Sequence, residues 1–212
     1  MKNKTTFIRE KVKTNYTCIS NKIIQSTKLK NTDPLLITHW GMSGPAVLKL
    51  SAWGARILHD KNYQFTIFVN WLNDVDSEDA EKILKDLKQE HAKKAVSKKS
   101  PFDFPNRLWE SLVLASEIQA ETKWADLSKI QLQNLAVQLT KAKFQVNGKS
   151  TFKEEFVTAG GIDLKEINFK TMESKIHQNL YFAGEIVNID AITGGFNFQN
   201  AWTSGFILAQ NI

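Results

Sequence analysis

The residues whose types and spacing could do chemistry lie near the C-terminus. They are Leu180-Tyr181-Phe182-Ala183-Gly184-Glu185, then Ile186 to Asp190, then Thr193-Gly194-Gly195-Phe196-Asn197-Phe198-Gln199. The pattern predicts a buried strand ending in a glycine and an acid, a connection, a double glycine, and a last helix from about Asn197 to Gln210. Glycines just before a helix let a flat ligand approach the backbone. The helix start offers unpaired N–H groups and a partial positive charge. An acid at the C-terminal end of a strand can accept hydrogen bonds from sugar or polyol hydroxyls. These parts suit an electron-accepting ring whose reduced form is anionic, with a polyol tail alongside. Spacing alone leaves a second reading open, a glycine turn before a helix that packs the C-terminus.

Other reactive types are weaker candidates. His39 stands between a strand and Gly41-Met42-Ser43-Gly44-Pro45, where it could face a substrate or serve as a hydrogen-bonded structural histidine. Ser43 lies in Gly-x-Ser-Gly, one residue short of a nucleophile elbow, and is expected to cap the helix that Pro45 begins. His59, His91 and His177 read as isolated from acids and from one another at metal-ligand spacing, so no metal site is expected. Cys18 is the one cysteine, which rules out an internal disulfide and, with no secretory pattern at the N-terminus, suggests a cytoplasmic protein. The six tryptophans are scattered and are expected to serve packing.

The elements that must position the C-terminal segment fall into three stretches. Val12, Thr14, Tyr16, Cys18 and Ile23-Ile24 give β-prone runs, Pro34–Thr38 another, and Tyr63–Val69 alternates cleanly as a strand. A helix is expected over Ala46–Leu58, with Val47, Leu50 and Gly54 on one face. Residues 77–140 change to helical periodicity. Ser77 with Glu78, Asp79 and Glu81 makes an acid-rich helix start, followed by Ala80, Ile83, Leu84, Leu87 and His91. A second helix is expected over Asn106–Ile118 with Leu108, Leu112 and Ala115 inward. Ser128 with Gln131 makes a capping box before Leu132, Leu135, Ala136 and Leu139. Strand character resumes at Phe144-Gln145-Val146, with a hairpin signal at Asn147-Gly148 and a further run through Glu155–Thr158. The helical unit therefore reads as an insertion in a β domain.

The chain's 212 residues carry 42% hydrophobic and 24% charged side chains, ordinary values for a globular protein. No stretch approaches the ~20 apolar residues that span a bilayer. Residues 151–212 hold four Lys or Arg against seven Asp or Glu, so 24 of the 28 basic and 15 of the 22 acidic residues precede residue 151. An excess of this kind can attract nucleic acid. Its lysines fall in short runs such as Lys93-Lys94 and Lys98-Lys99, without an arginine cluster or interleaved aromatics, which argues for a solvated helical surface rather than a nucleic-acid site.

The chain resembles the C-terminal half of the BaiN/aminoacetone-oxidase family of FAD flavoproteins. Three stretches carry the likeness: Leu35 through Leu48 with His39-Trp40-Gly41-Met42-Ser43-Gly44-Pro45, Val157-Thr158-Ala159-Gly160-Gly161 with Thr171–Lys175, and Leu180 through Ala201. The family usually has an acid where Asn188 stands and a glycine where Ala191 stands. The resemblance implies an α+β protein of several parts: an inserted β-barrel (1–76 with 141–158), a helical lid (77–140), and the C-terminal piece (159–212) of a Rossmann-like FAD domain of two-dinucleotide-binding type. It implies FAD as cofactor, held by Gly184, Glu185, Asp190, Thr193, Gly194, Gly195, Phe196 and Asn197. Gly184 and Glu185 are placed by the ribityl chain, and Gly194 to Asn197 along the ring. NAD(P) or oxygen would be the second redox partner, with a small molecule as substrate. Family members begin with a strand–Gly-x-Gly-x-x-Gly–helix unit that seats the pyrophosphate, and no Gly-x-Gly occurs here. The chain is thus expected to be a fragment, a truncated product or one piece of a split protein, needing that half in cis or in trans. Two alternatives stand beside the FAD oxidoreductase: a basic β-barrel binding module, for instance for RNA, and a fragment without activity alone.

Overall fold

The computed structural model describes residues 16–24, 27–149, 157–192 and 194–212. They form, in order, β1 (Tyr16–Ile24), β2 (Lys30–Ile37), β3 (Met42–Ser43), α1 (Pro45–Asp60), β4 (Gln64–Asn70), α2 (Ser77–Glu90), α3 (Asn106–Ala115), α4 (Lys129–Thr140), β5 (Ala142–Asn147), β6 (Ile167–Asn168), β7 (Glu173–Ser174) and α5 (Gly195–Ala209). The architecture is mixed α+β. The chain divides into two compact units, Met1–Val47 with Gln64–Asn147, and Leu48–Tyr63 with Gly148–Ile212, so the division falls inside α1.

The first unit is built on an antiparallel sheet of order β3-β2-β1-β4-β5. β4 pairs with β5 from Gln64↔Asn147 to Val69↔Ala142, so strands separated by three helices in sequence are neighbours in one sheet. Alternation places Ile67 and Val69 inward, as it does Leu35 and Ile37 on β2. Pro34 is accommodated within β2 because β3 pairs only with Leu36 and Ile37, leaving the proline, which has no N–H to give, opposed on one side. Among the described residues the outer strands β3 and β5 do not pair with each other.

The helices of this unit follow their periodicity with local shifts. α2 is capped by Asp76, whose Oδ1 accepts from the Asp79 N–H at 2.8 Å. Ala80 and Leu84 are buried and Ile83 is exposed. α3 ends at Ala115, earlier than Ile118, because Glu117 takes a left-handed φ of 63°. Its buried stripe is Leu108, Trp109, Leu112, Val113 and Ser116, and Ala115 faces solvent. Trp109 stacks on Trp124 with centroids 6.3 Å apart and donates its Nε1–H to the Val96 carbonyl at 2.7 Å. α4 begins with the full Ser128–Gln131 capping box and buries Leu132, Leu135, Ala136 and Leu139.

The second unit has a small core of Ile167, Met172 and Val187, surrounded by Ile162, Leu164, Phe182, Ile189, Ile207 and Leu208. The hairpin of β6 and β7 forms one wall. Leu180–Ala183, expected as a buried strand, is not one. Tyr181 makes a single bridge to Glu173, and Leu180 is exposed. A strand needs a neighbour along its length, and none is present beyond that bridge among the described residues. Val12, Thr14 and residues 150–156, the return run with Glu155 and Phe156 expected after the Asn147-Gly148 signal, lie outside the described residues. Val157 and Thr158 are not in a strand.

Candidate functional site

The site is built on α5 and the connection before it. Gly194 precedes the helix at φ 140°, and among the described residues no side chain caps the helix start. The first-turn N–H groups are therefore left for a ligand or water. Gly184 sits at φ 80° and opens a short 3₁₀ turn through Ile186. A Cβ added to Gly184, Gly194 or Gly195 would meet no atom within 4 Å. Two of the three glycines are needed for their backbone conformation, and all three border open space.

Two polar side chains on the inner face of α5 tie the connection down. Ser204, 4% exposed, accepts the Gly184 N–H at 2.9 Å and donates its own O–H to the Asn200 carbonyl at 2.7 Å. Asn197, 8% exposed, accepts the Ala191 N–H at 2.9 Å through Oδ1 and donates Nδ2–H to the Ala191 carbonyl at 3.1 Å. Midway, the Asn188 Oδ1 accepts from the Arg56 guanidinium at 2.7 Å. A second close contact lies behind the turn. Gly161, at φ 130°, lets Ile162 pair with this segment, with Ile162 N–H donating to the Ile186 carbonyl at 2.9 Å and Asn188 N–H to the Ile162 carbonyl at 3.1 Å.

The candidate residues thus separate into groups. Gly194, Gly195 and Phe196 lie exposed at the helix start, Phe196 at 73%. Glu185 is exposed and Asp190 half-buried, and neither carboxylate is hydrogen-bonded to another described residue. Both are free to accept from a ligand's hydroxyls. Asn197 is different, since its side chain is turned inward and fully engaged by Ala191. Thr193 lies outside the described residues. Sequence reasoning missed Ser204 and Arg56. Ser204 had a signal, because it lies seven residues after Asn197 and therefore on the same helix face.

The remaining candidates do not join this site. Ser43 pairs with Leu36 in β3, and Gly44, at φ 91°, takes the position before α1. A Cβ there would come within 3.0 Å of the Leu36 nitrogen. His39 is exposed and makes no hydrogen bond among the described residues, so it is not a bonded structural histidine. His59 is exposed and His91 half-buried, and each stands 3.7 Å from the carboxylate of its sequence neighbour, Asp60 or Glu90, so neither is isolated from acids, contrary to expectation. Among the described residues no three His, Cys, Asp or Glu side chains gather as metal ligands, and no helix is long and apolar enough to cross a membrane. Trp71, Trp109 and Trp124 are core residues, whereas Trp40, Trp53 and Trp202 are exposed, so packing accounts for half of the tryptophans.

Residues 11–157 match the family described as HI0933-like protein barrel and H2TH domain. The chain is 33% identical over 178 residues to the ribosomal RNA dihydrouridine synthases of Escherichia coli and Haemophilus influenzae, covering 84% of this chain and 42% of each relative. It is 24% identical over 181 residues to the 3-dehydro-bile acid delta(4,6)-reductase of Clostridium scindens, covering 85% of this chain and 44% of that protein. The chain therefore spans somewhat under half the length of these curated relatives. The match over residues 11–157 takes in more than half of the sequence, and the chain belongs to the HI0933-like family.

Proposed function

We propose that the chain is the C-terminal part of an FAD-dependent oxidoreductase and supplies the ribityl- and isoalloxazine-side contacts to the flavin. One observation carries this reading: among the described residues a Cβ at Gly184, Gly194 or Gly195 would meet no atom within 4 Å, beside the start of α5, where no side-chain cap is made. The resemblance to FAD flavoproteins supplies the ligand's identity. Glu185 would accept hydrogen bonds from the ribityl hydroxyls, and the α5 N-terminus would favour negative charge on the reduced ring. When bound, the flavin supplies the hydride chemistry, with NAD(P) or oxygen as the other redox partner. A dihydrouridine synthase and a delta(4,6)-reductase are both, by name, enzymes that leave an unsaturated carbon pair saturated, so a reduction of that class is the reaction proposed. In this reading residues 1–76 with 141–158 are the inserted barrel, 77–140 its helical lid, and 159–212 part of a Rossmann-like domain in a cytoplasmic enzyme. The Gly-x-Gly-x-x-Gly half is the required partner, in cis or in trans.

The test is reconstitution. The 212-residue chain alone should bind FAD weakly or not at all, and adding a dinucleotide-binding half from a family member should restore the visible absorption of bound flavin. Charge-assisted hydrogen bonds to the pyrophosphate contribute about 1.5–3 kcal/mol each, and losing two or three costs several powers of ten in affinity. Stoichiometric FAD on the chain alone would refute the proposed division of the site. Failure of any family half to restore binding would refute the flavin role.

A second reading concerns the substrate. Two relatives are named for ribosomal RNA, and residues 1–150 hold the basic excess. An RNA-bound uridine is the substrate class these observations favour, against the expectation drawn from the dispersed lysines. A filter-binding titration decides between them: an affinity that falls steeply with salt and prefers ribosomal RNA supports the second reading, and salt-insensitive or absent binding supports the first.

A further inference from the structure

We propose that Asn197 and Ser204 are positioning residues, two pegs on one face of α5 that set the length and register of the connection from Gly184 to Ala191. The use of this arrangement rests on the flavin reading above, because that connection carries Glu185 and Asp190.

The geometry begins with the helix. Asn197 and Ser204 are seven residues apart, about two turns, or ~10.5 Å along the axis. Their partners Ala191 and Gly184 are also seven residues apart, and seven residues drawn out fully would reach ~23–25 Å. The two pegs therefore hold the connection at less than half its extended length, running toward the helix N-terminus. The slack is taken up by the 3₁₀ turn at Gly184–Ile186, which the positive φ of Gly184 permits. The other contacts between this connection and α5 among the described residues are the apolar packing of Val187 and Ile189 with Ile207 and Leu208, which is non-directional and selects no register.

Each peg has its own chemistry. The Ala191 N–H can only donate and its carbonyl only accept, so the Asn197 amide can be satisfied in one orientation alone. Both of its groups are buried and bonded, which makes any replacement that removes one of them costly. Ser204 is a relay: it accepts from Gly184 and donates to the helix carbonyl of Asn200, so the Gly184 amide is fixed to the helix backbone through one hydroxyl. Polar residues are otherwise unexpected on the inner face of a helix whose outer face carries Phe198, Trp202 and Phe206. Their presence inside is explained by the backbone groups they hold.

Residue-resolved amide exchange on the full 212-residue chain tests the pegs without any flavin. Asn197→Leu should accelerate exchange at Ala191 by about 5–30-fold and leave Gly184 unchanged. Ser204→Ala should do the converse, and Ser204→Thr, which keeps the hydroxyl, should restore protection at Gly184. Acceleration spread evenly over α5 and residues 184–191 would show ordinary packing residues and overturn the proposal, as would no change at the paired amides. A second arm measures FAD affinity after reconstitution with a dinucleotide-binding half. Asn197→Leu and Ser204→Ala should each weaken it at least about fivefold, with Ser204→Thr again restoring it. Altered exchange with unaltered affinity overturns the positioning role. If the unsubstituted chain never takes up flavin, the proposed function fails while the exchange experiment still decides whether the pegs exist.

Discussion

Replacing Gly161 with alanine should destabilise the second unit far more than the same change at its neighbour Gly160. Both glycines have positive φ, 120° at Gly160 and 130° at Gly161, which L side chains rarely adopt. Each substitution therefore carries a backbone strain of roughly 1–3 kcal/mol. Each also restricts the unfolded chain, an opposing gain of about 0.4–1 kcal/mol that is the same for both and cancels in the comparison. The surroundings differ. A Cβ at Gly160 meets nothing within 4 Å. A Cβ at Gly161 collides with the Ile186 carbonyl oxygen and stands 2.9 Å from the Asn188 nitrogen. These are backbone atoms held by the two hydrogen bonds of Ile162, so they cannot yield without breaking the bridge. Overpacking of this kind adds roughly 1–3 kcal/mol. At about 2–4 °C per kcal/mol, the midpoint of Gly161→Ala should lie ~2–12 °C below that of Gly160→Ala. Paired thermal melts would measure this, and amide exchange at Ile162 and Asn188 should accelerate only in Gly161→Ala. Equal midpoints, or a lower one for Gly160→Ala, would refute the close approach of Gly161 to the backbone of Ile186 and Asn188.

Further outcomes are open to measurement. Trp109→Ala removes a fully buried indole, its stack on Trp124 and its bond to Val96, and should cost about 3–5 kcal/mol by denaturant titration. Ser128→Ala deletes one half of the α4 capping box and should cost about 1 kcal/mol. Phe198 and Trp202 form an exposed pair with centroids 6.1 Å apart, Trp202 being 70% exposed, so replacing both with glutamine should change stability by no more than about 0.5 kcal/mol per site while reducing self-association in sedimentation. In the reconstituted protein Gly195→Trp should abolish flavin uptake with little effect on the melting midpoint, because its side chain would enter space that is open in the chain itself.

Local signals in the sequence determined much of the secondary structure. The capping box at Ser128 and the spacing of Leu132, Leu135, Ala136 and Leu139 specify α4, and the alternation over Tyr63–Val69 specifies β4, because caps and side-chain periodicity act within a few residues. The family was legible for a related reason: the run from Leu35 through Leu48 lies within residues 11–157, which match it. Other features were decided only by tertiary structure. The flanking β signals anticipated that β4 and β5 share one sheet, but their register, Gln64↔Asn147 to Val69↔Ala142 across some eighty positions, was fixed only by packing. The inward stripe of α3 was set by the burial of Trp109, which rotated Ala115 to the surface. Leu180–Ala183 has the composition of a strand, yet strand formation depends on a neighbour that no local pattern records. The same holds for the site. Glycines before a helix were visible as glycines, but whether Asn197 faces a ligand or clamps Ala191 six residues before it depends on how the intervening chain folds back on the helix, and no residue type or spacing records that path.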